Sequence, residues 1–131
     1  ERLMALEADA VLGLHDFLSF CKPREGATTI RDLQRAGVHR DESGMITIAL
    51  QADAFCHHMV RCIVGAVVRV GEGRYDAGWP GQRLRARVRD ANVLMAPAHG
   101  LVLDAVRYPD QSQLAERARL TRARRPAQHD E

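Results

Sequence analysis

The sequence predicts an α+β domain, a small antiparallel sheet packed by helices, on three observations. Helix-spaced apolar residues open the chain, two β-branched or alternating runs follow around Asp41-Glu42-Ser43-Gly44, and a long apolar segment then ends at two glycines. In order this is a helix, two strands, two helices and a strand, without the regular strand–helix alternation of doubly wound folds. The 131 residues, 46% hydrophobic and 27% charged, have enough apolar material for one core. Residues 1–110 read as the domain and residues 111–131 as a basic tail.

Met4, Ala8, Val11 and Leu12 share a face of a helix over Arg2 to Leu14, which begins before Glu1 and is stopped by Gly13. His15 to Phe20 leads into Lys22-Pro23-Arg24-Glu25-Gly26, a cluster that reads as an exposed basic loop. Thr28 to Val38 and Gly44 to Leu50 form two antiparallel strands. A long helix runs from about Ala54 to Val70, and Gly71-Glu72-Gly73 caps it.

Trp79-Pro80-Gly81 reads as a loop. For Arg83 to Ala91, Leu84 and Val88 suit a helix while alternating Arg83, Arg85, Arg87 and Arg89 suit a strand; helix is preferred. Pro97-Ala98-His99-Gly100 introduces a third strand, Leu101 to Tyr108, closed by Pro109. Leu114 to Arg125, with five Arg against one Glu, is weakly helical and either solvated or in contact with RNA. Three strands leave two open edges, so the native sheet is expected to exceed what this chain supplies.

Composition narrows the function classes. A net charge of +2 does not by itself argue for nucleic acid. Every basic residue except Lys22 is arginine, so an anion site here is built from planar forks suited to phosphate and carboxylate. No apolar run reaches the roughly 20 residues a membrane helix needs. The start, Glu1-Arg2-Leu3, has neither an initiator methionine nor a signal pattern, and reads as a cut from a longer chain. Three cysteines, Cys21, Cys56 and Cys62, are an odd number without CxxC spacing; they argue against a disulfide framework and a zinc site, and fit a reduced cytosolic setting.

Winding Phe55 to Val70 at 100° per residue gives a broad apolar arc and a narrow stripe of His57, His58, Arg61, Gly65 and Arg69. The stripe holds no carboxylate, and a partly buried guanidinium must be paired. Arg61 therefore takes either a structural salt bridge or a functional anion from elsewhere. Gly65 leaves room for a close approach. His57 and His58 diverge by about 100° on a helix and cannot chelate one metal, and Cys62 sits where a thiolate is disfavoured. Phosphate-loop, dinucleotide-loop and nucleophile-elbow patterns are absent.

Four blocks, in order, resemble the C-terminal domain of the tRNA pseudouridine synthase A family. They are His15-Asp16-Phe17-Leu18-Ser19-Phe20; Thr29-Ile30-Arg31; Ala52 to Gly65, containing Phe55-Cys56-His57-His58-Met59-Val60-Arg61-Cys62-Ile63-Val64-Gly65, with Val70 to Gly73; and Ala96 to Leu103 ending at Tyr108-Pro109. The resemblance implies a pseudouridine-synthase-like half of an isomerase acting on uridine at positions 38 to 40 of the tRNA anticodon stem-loop, with neither cofactor nor metal. The family's catalytic Asp lies in an Arg-Thr-Asp-Ala-Gly-type motif of the N-terminal half, which this chain lacks. Asp16, Asp53 and Asp104 do not replace it, and neither Tyr75 nor Tyr108 takes the family's active-site tyrosine role.

By the same resemblance, Arg61 matches the arginine that pairs with that Asp. Leu101 matches the apolar residue packing on the target base, beside its plainer reading as a strand-core leucine. His57, His58, Arg69, Lys22, Arg24 and Arg31 are expected to line an RNA cleft. The implied parent is a cytoplasmic homodimer that binds tRNA and no membrane, and this chain alone is expected to be inactive. The alternatives are a stand-alone RNA-binding or dimerisation module and an unrelated α+β interaction domain.

Overall fold

The computed structural model describes residues 2–22, 25–88 and 95–103. The elements are α1 (Arg2–Asp9), β1 (Gly13–Asp16), a 3-10 turn (Leu18–Phe20), β2 (Ile30–Arg40), β3 (Ile46–Ala52), α2 (Met59–Gly71), α3 (Trp79–Ala86) and a second 3-10 turn (Ala98–Gly100). The α+β class is as the sequence predicts. The sheet runs β1-β2-β3 and is antiparallel throughout.

The β2–β3 hairpin has the order read from the sequence, with Val38 opposite Ile48 and Ala36 opposite Leu50. Its turn is built by Asp41, whose Oδ1 accepts from the backbone N–H of Ser43 (2.9 Å) and Met45 (3.1 Å) and from the Ser43 hydroxyl (2.6 Å). Gly44 closes it at φ +92°, where other residues are strained.

The third strand is a correction. Gly13 does not cap a helix reaching Leu14: α1 ends at Asp9, and Gly13, at φ +106°, turns the chain into β1. Leu14 then pairs with Asp32 and Asp16 with Ile30. The expected strand from Leu101 is not seen in its described part, since Leu101 to Leu103 pair with no strand among the described residues. Asp104 to Tyr108 lie outside the described residues, as do Arg24, Arg89 to Ala91, Pro109 and the tail.

The central helix starts later than its apolar pattern suggests. Asp53 Oδ1 accepts from Ala54 N–H (2.8 Å) and Asp32 N–H (3.0 Å), tying this stretch to β2 and competing with helical pairing. His58, in the left-handed region at φ 68°, then turns the chain into α2. At the other end the glycine stop is as read. Gly73, at φ +80°, donates to Val70 O and Arg74 N–H donates to Arg69 O, the two bonds of a Schellman cap.

The core lies between α1, α2 and the sheet. Met4, Ala8 and Val11 are buried with Phe17, Phe20, Leu33, Met59, Cys62, Ile63, Ala66, Val67 and Leu84. Burying such a side chain contributes about 1.5–3 kcal/mol each.

Trp79-Pro80-Gly81 is the first turn of α3, not a loop; Pro80 sits where its missing N–H costs nothing. The helix ends at Ala86, inside the Arg83 to Ala91 range for which helix is preferred. Two buried polar groups hold it. Both Glu7 oxygens accept from Gly78 N–H, at 2.9 and 3.0 Å, at its start. At its end the Ser19 hydroxyl donates to Arg83 O and accepts from Val88 N–H.

Cys21 and Cys56 form a disulfide, against the expectation drawn from the odd cysteine count. The loop before α2 folds onto the 3-10 turn at Leu18–Phe20 and brings the two Cα atoms to 5.7 Å, within bridging range. Cys62 is buried outside it.

Candidate functional site

Arg61 stands in the first turn of α2, three residues beyond the left-handed His58. Its Nε donates to Ala96 O at 2.8 Å, and Ala96 N–H donates back to Arg61 O at 2.9 Å. This double bond pair docks the segment beginning at Met95 on the start of α2. Among the described residues the guanidinium has no other hydrogen bond or ion pair, so Nη1 and Nη2 are uncommitted.

The docked segment continues through the 3-10 turn Ala98–Gly100 to Leu101, whose N–H donates to Ala98 O at 3.0 Å. Leu101 is 51% exposed, so its side chain is open to contact. Val102 and Leu103 are more exposed still.

Three further expected residues join this end of α2. Lys22 N–H donates to His57 O at 2.9 Å, beside the Cys21–Cys56 bridge, so bridge and hydrogen bond together hold Lys22 against the helix start. His57 and His58 do not diverge as helical neighbours would. They precede the helix, and their rings lie 3.8 Å apart at 36°. The helix start carries no side-chain cap, and the helix dipole adds positive potential at Arg61 in its first turn.

The remaining expected residues stand apart. Arg69 is two turns along α2, about 12 Å by helical rise, and its Nη1 donates to Gly65 O at 3.0 Å. Arg31 lies on β2 opposite His15 and donates to Ile30 O at 2.7 Å. Arg24 is outside the described residues. Sequence reasoning missed the Ala96 contact, because a backbone carbonyl leaves no residue-type signal, and missed the cysteine bridge, because the two positions are 35 residues apart.

The arrangement suits an anion: a forked cation anchored on one edge, a helix start, a lysine and two imidazoles, with an open apolar side chain nearby in the docked segment. Comparison with known proteins gives the chain's family. Residues 8–109 match a family model described as tRNA pseudouridine synthase. The chain is 52% identical over 120 residues to the tRNA pseudouridine synthase A of Frankia casuarinae, covering 92% of this chain and 44% of that protein. It is 51% identical over 112 residues to the protein of the same name from Streptomyces griseus, covering 85% and 39%. With that of Mycobacterium leprae it shares 47% over 119 residues, covering 91% and 41%. The chain spans less than half the length of these relatives.

Proposed function

Since this chain belongs to the tRNA pseudouridine synthase family, we propose that it is the C-terminal half of an enzyme that converts uridine to pseudouridine at positions 38 to 40 of the tRNA anticodon stem-loop. The C1′–N1 glycosidic bond breaks, the uracil turns within the site, and a C1′–C5 bond forms, C5 losing its proton to solvent while N1 takes one up. The reacting carboxylate comes from the other half of the parent protein, without cofactor or metal. That half also extends the sheet at one of its edges.

The observation that carries this reading is Arg61, fixed through Nε by Ala96 O while both terminal nitrogens stay uncommitted among the described residues. Two charge-assisted N–H groups meeting a carboxylate hold it ionised, as a nucleophile or base at neutral pH requires. Arg61 therefore positions and charges the aspartate. Leu101 packs on the target base, and Lys22, His57 and His58 contact the phosphate backbone. Arg24, Arg31 and Arg69 make outer RNA contacts. The parent works in the cytoplasm as a homodimer.

Tritium release from tRNA labelled at uridine C5 tests this. The full-length parent releases tritium from the anticodon stem-loop, and this chain alone releases none. Release by this chain alone, or by a full-length Arg61→Ala variant at the parent's rate, overturns the reading.

A further inference from the structure

A cavity of about 160 Å³ opens between the end of α1, β1 and the C-terminal end of α3, lined by Ala10, His15, Asp16, Leu84, Arg85 and Arg87. None of these residues belongs to the Arg61 cluster. We propose that it is a subsite for a phosphate group of the RNA backbone, held by Arg85, Arg87 and His15. The proposal rests on the reading that the parent binds tRNA, and adds a contact that the Arg61 site does not supply.

Size and lining define the ligand. The volume is below the roughly 300 Å³ at which sites for whole small molecules begin, and it suits one tetrahedral anion rather than a nucleoside. The lining residues include two arginines and a histidine against a single carboxylate residue, Asp16. Asp16 already accepts from Leu18 N–H at 3.1 Å and from the Thr29 hydroxyl at 2.5 Å, so its charge is turned to the chain's own donors. Buried Leu84 and the Ala10 methyl give an apolar wall, against which charged hydrogen bonds strengthen.

The two arginines converge because the helix ends between them. In a continuous helix residues 85 and 87 are about 200° apart and point to opposite sides. Arg87 instead adopts the left-handed region at φ 53°, which non-glycine residues seldom occupy, and both side chains line one cavity. Arg85 makes no hydrogen bond or ion pair among the described residues. Its fork lies over Gly81, where an added Cβ would stand 3.3 Å from Nη1; the missing side chain makes room for it. His15 is held by Nε2 against Leu12 O at 2.6 Å and packs edge-on against Phe17 at 5.9 Å.

The shared chemistry is a phosphate oxygen group, which RNA or inorganic phosphate supplies. Using the full-length parent, tRNA affinity is measured from 50 to 200 mM salt for wild type, Arg85→Gln, Arg85→Lys, the Arg85→Gln/Arg87→Gln double variant and Arg74→Gln. Arg74 is an exposed control, ion-paired with Glu72 at 3.1 Å. The double variant is expected to flatten the log affinity against log salt slope by about 0.7–0.9, narrowing the loss across this salt range by roughly threefold. Arg85→Gln shows part of that change, while Arg85→Lys and Arg74→Gln keep the wild-type slope.

A wild-type slope in the double variant overturns the proposal. It does so equally if the same variant has lost a thermal shift given by inorganic phosphate, since the cavity is then a site for free anions only. Absence of salt-dependent tRNA binding in the wild type overturns the functional reading itself, and this proposal with it.

Discussion

Arg61 and Ala96 exchange two hydrogen bonds, side chain to carbonyl at 2.8 Å and amide to carbonyl at 2.9 Å, across 35 residues of sequence. The guanidinium is thus oriented by the chain's own backbone before any ligand arrives. One edge is fixed and the other two nitrogens are presented, which reduces the rotamer entropy lost when a carboxylate binds.

Loss of that fork should act on turnover more than on binding. In the full-length parent, Arg61→Ala is expected to lower the rate at saturating tRNA by about 100-fold or more, the scale of removing an oriented donor from a reacting charge. Affinity for tRNA should change by less than about threefold, since Arg61 pairs with the carboxylate while phosphate contacts elsewhere position the RNA. Arg61→Lys keeps the charge but loses both the Ala96 anchor and the fork, and should recover little. Single-turnover kinetics with a separate binding isotherm distinguish the effects; equal losses in both would make Arg61 a binding residue.

How much of this was legible depends on where side chains carry the information. The β2–β3 hairpin was readable because β-branched alternation and Asp41 to Gly44 act locally. The buried face of α2 was readable because Met59, Cys62, Ile63, Ala66, Val67 and Val70 recur at helical spacing. The start of α2 was not, since the apolar pattern runs back to Phe55 while Asp53 binds two backbone N–H groups, one of them 21 residues away. Phe55 is accordingly 41% exposed instead of packed. Strand β1 escaped notice because four residues, Gly13 to Asp16, are too few to show a period. Arg61 stood out as a cation without an acid on its own helix, but Ala96 did not.

Glu7 gives a stability test of the α1–α3 junction. It is 6% exposed, with both oxygens on Gly78 N–H at the start of α3. Glu7→Ala removes the acceptor from that N–H and is expected to cost about 1–3 kcal/mol, seen as a lower denaturation midpoint with an unchanged slope. Glu7→Gln retains one acceptor oxygen and should cost less. A variant as stable as wild type would mean that water replaces the carboxylate fully.

The Cys21–Cys56 bridge closes a span of 35 residues, for which chain-entropy arguments give about 3–4 kcal/mol of stabilisation over the reduced form. Reductant should therefore lower the melting temperature of wild type and leave Cys21→Ser/Cys56→Ser unchanged. Buried Cys62 should resist alkylation in the folded protein under either condition. Identical melts with and without reductant would show that the pair exists as thiols in the starting protein.

Asp41 couples the hairpin turn to pH. Its carboxyl is held below the ordinary carboxylate range, first by the Ser43 hydroxyl and then by Met45 N–H, with smaller help from the Ser43 and Gly44 amides. A group whose folded pKa lies below its unfolded value stabilises the fold above the unfolded pKa. That contribution is lost as pH falls through the folded one. Asp41→Asn retains an oxygen acceptor and removes the charge, so the variant should melt below wild type at pH 7 and approach it at pH 3 or lower. A melting difference equal at both pH values would place the effect of Asp41 in turn geometry alone. The comparison separates two contributions that the same three short contacts make to one hairpin.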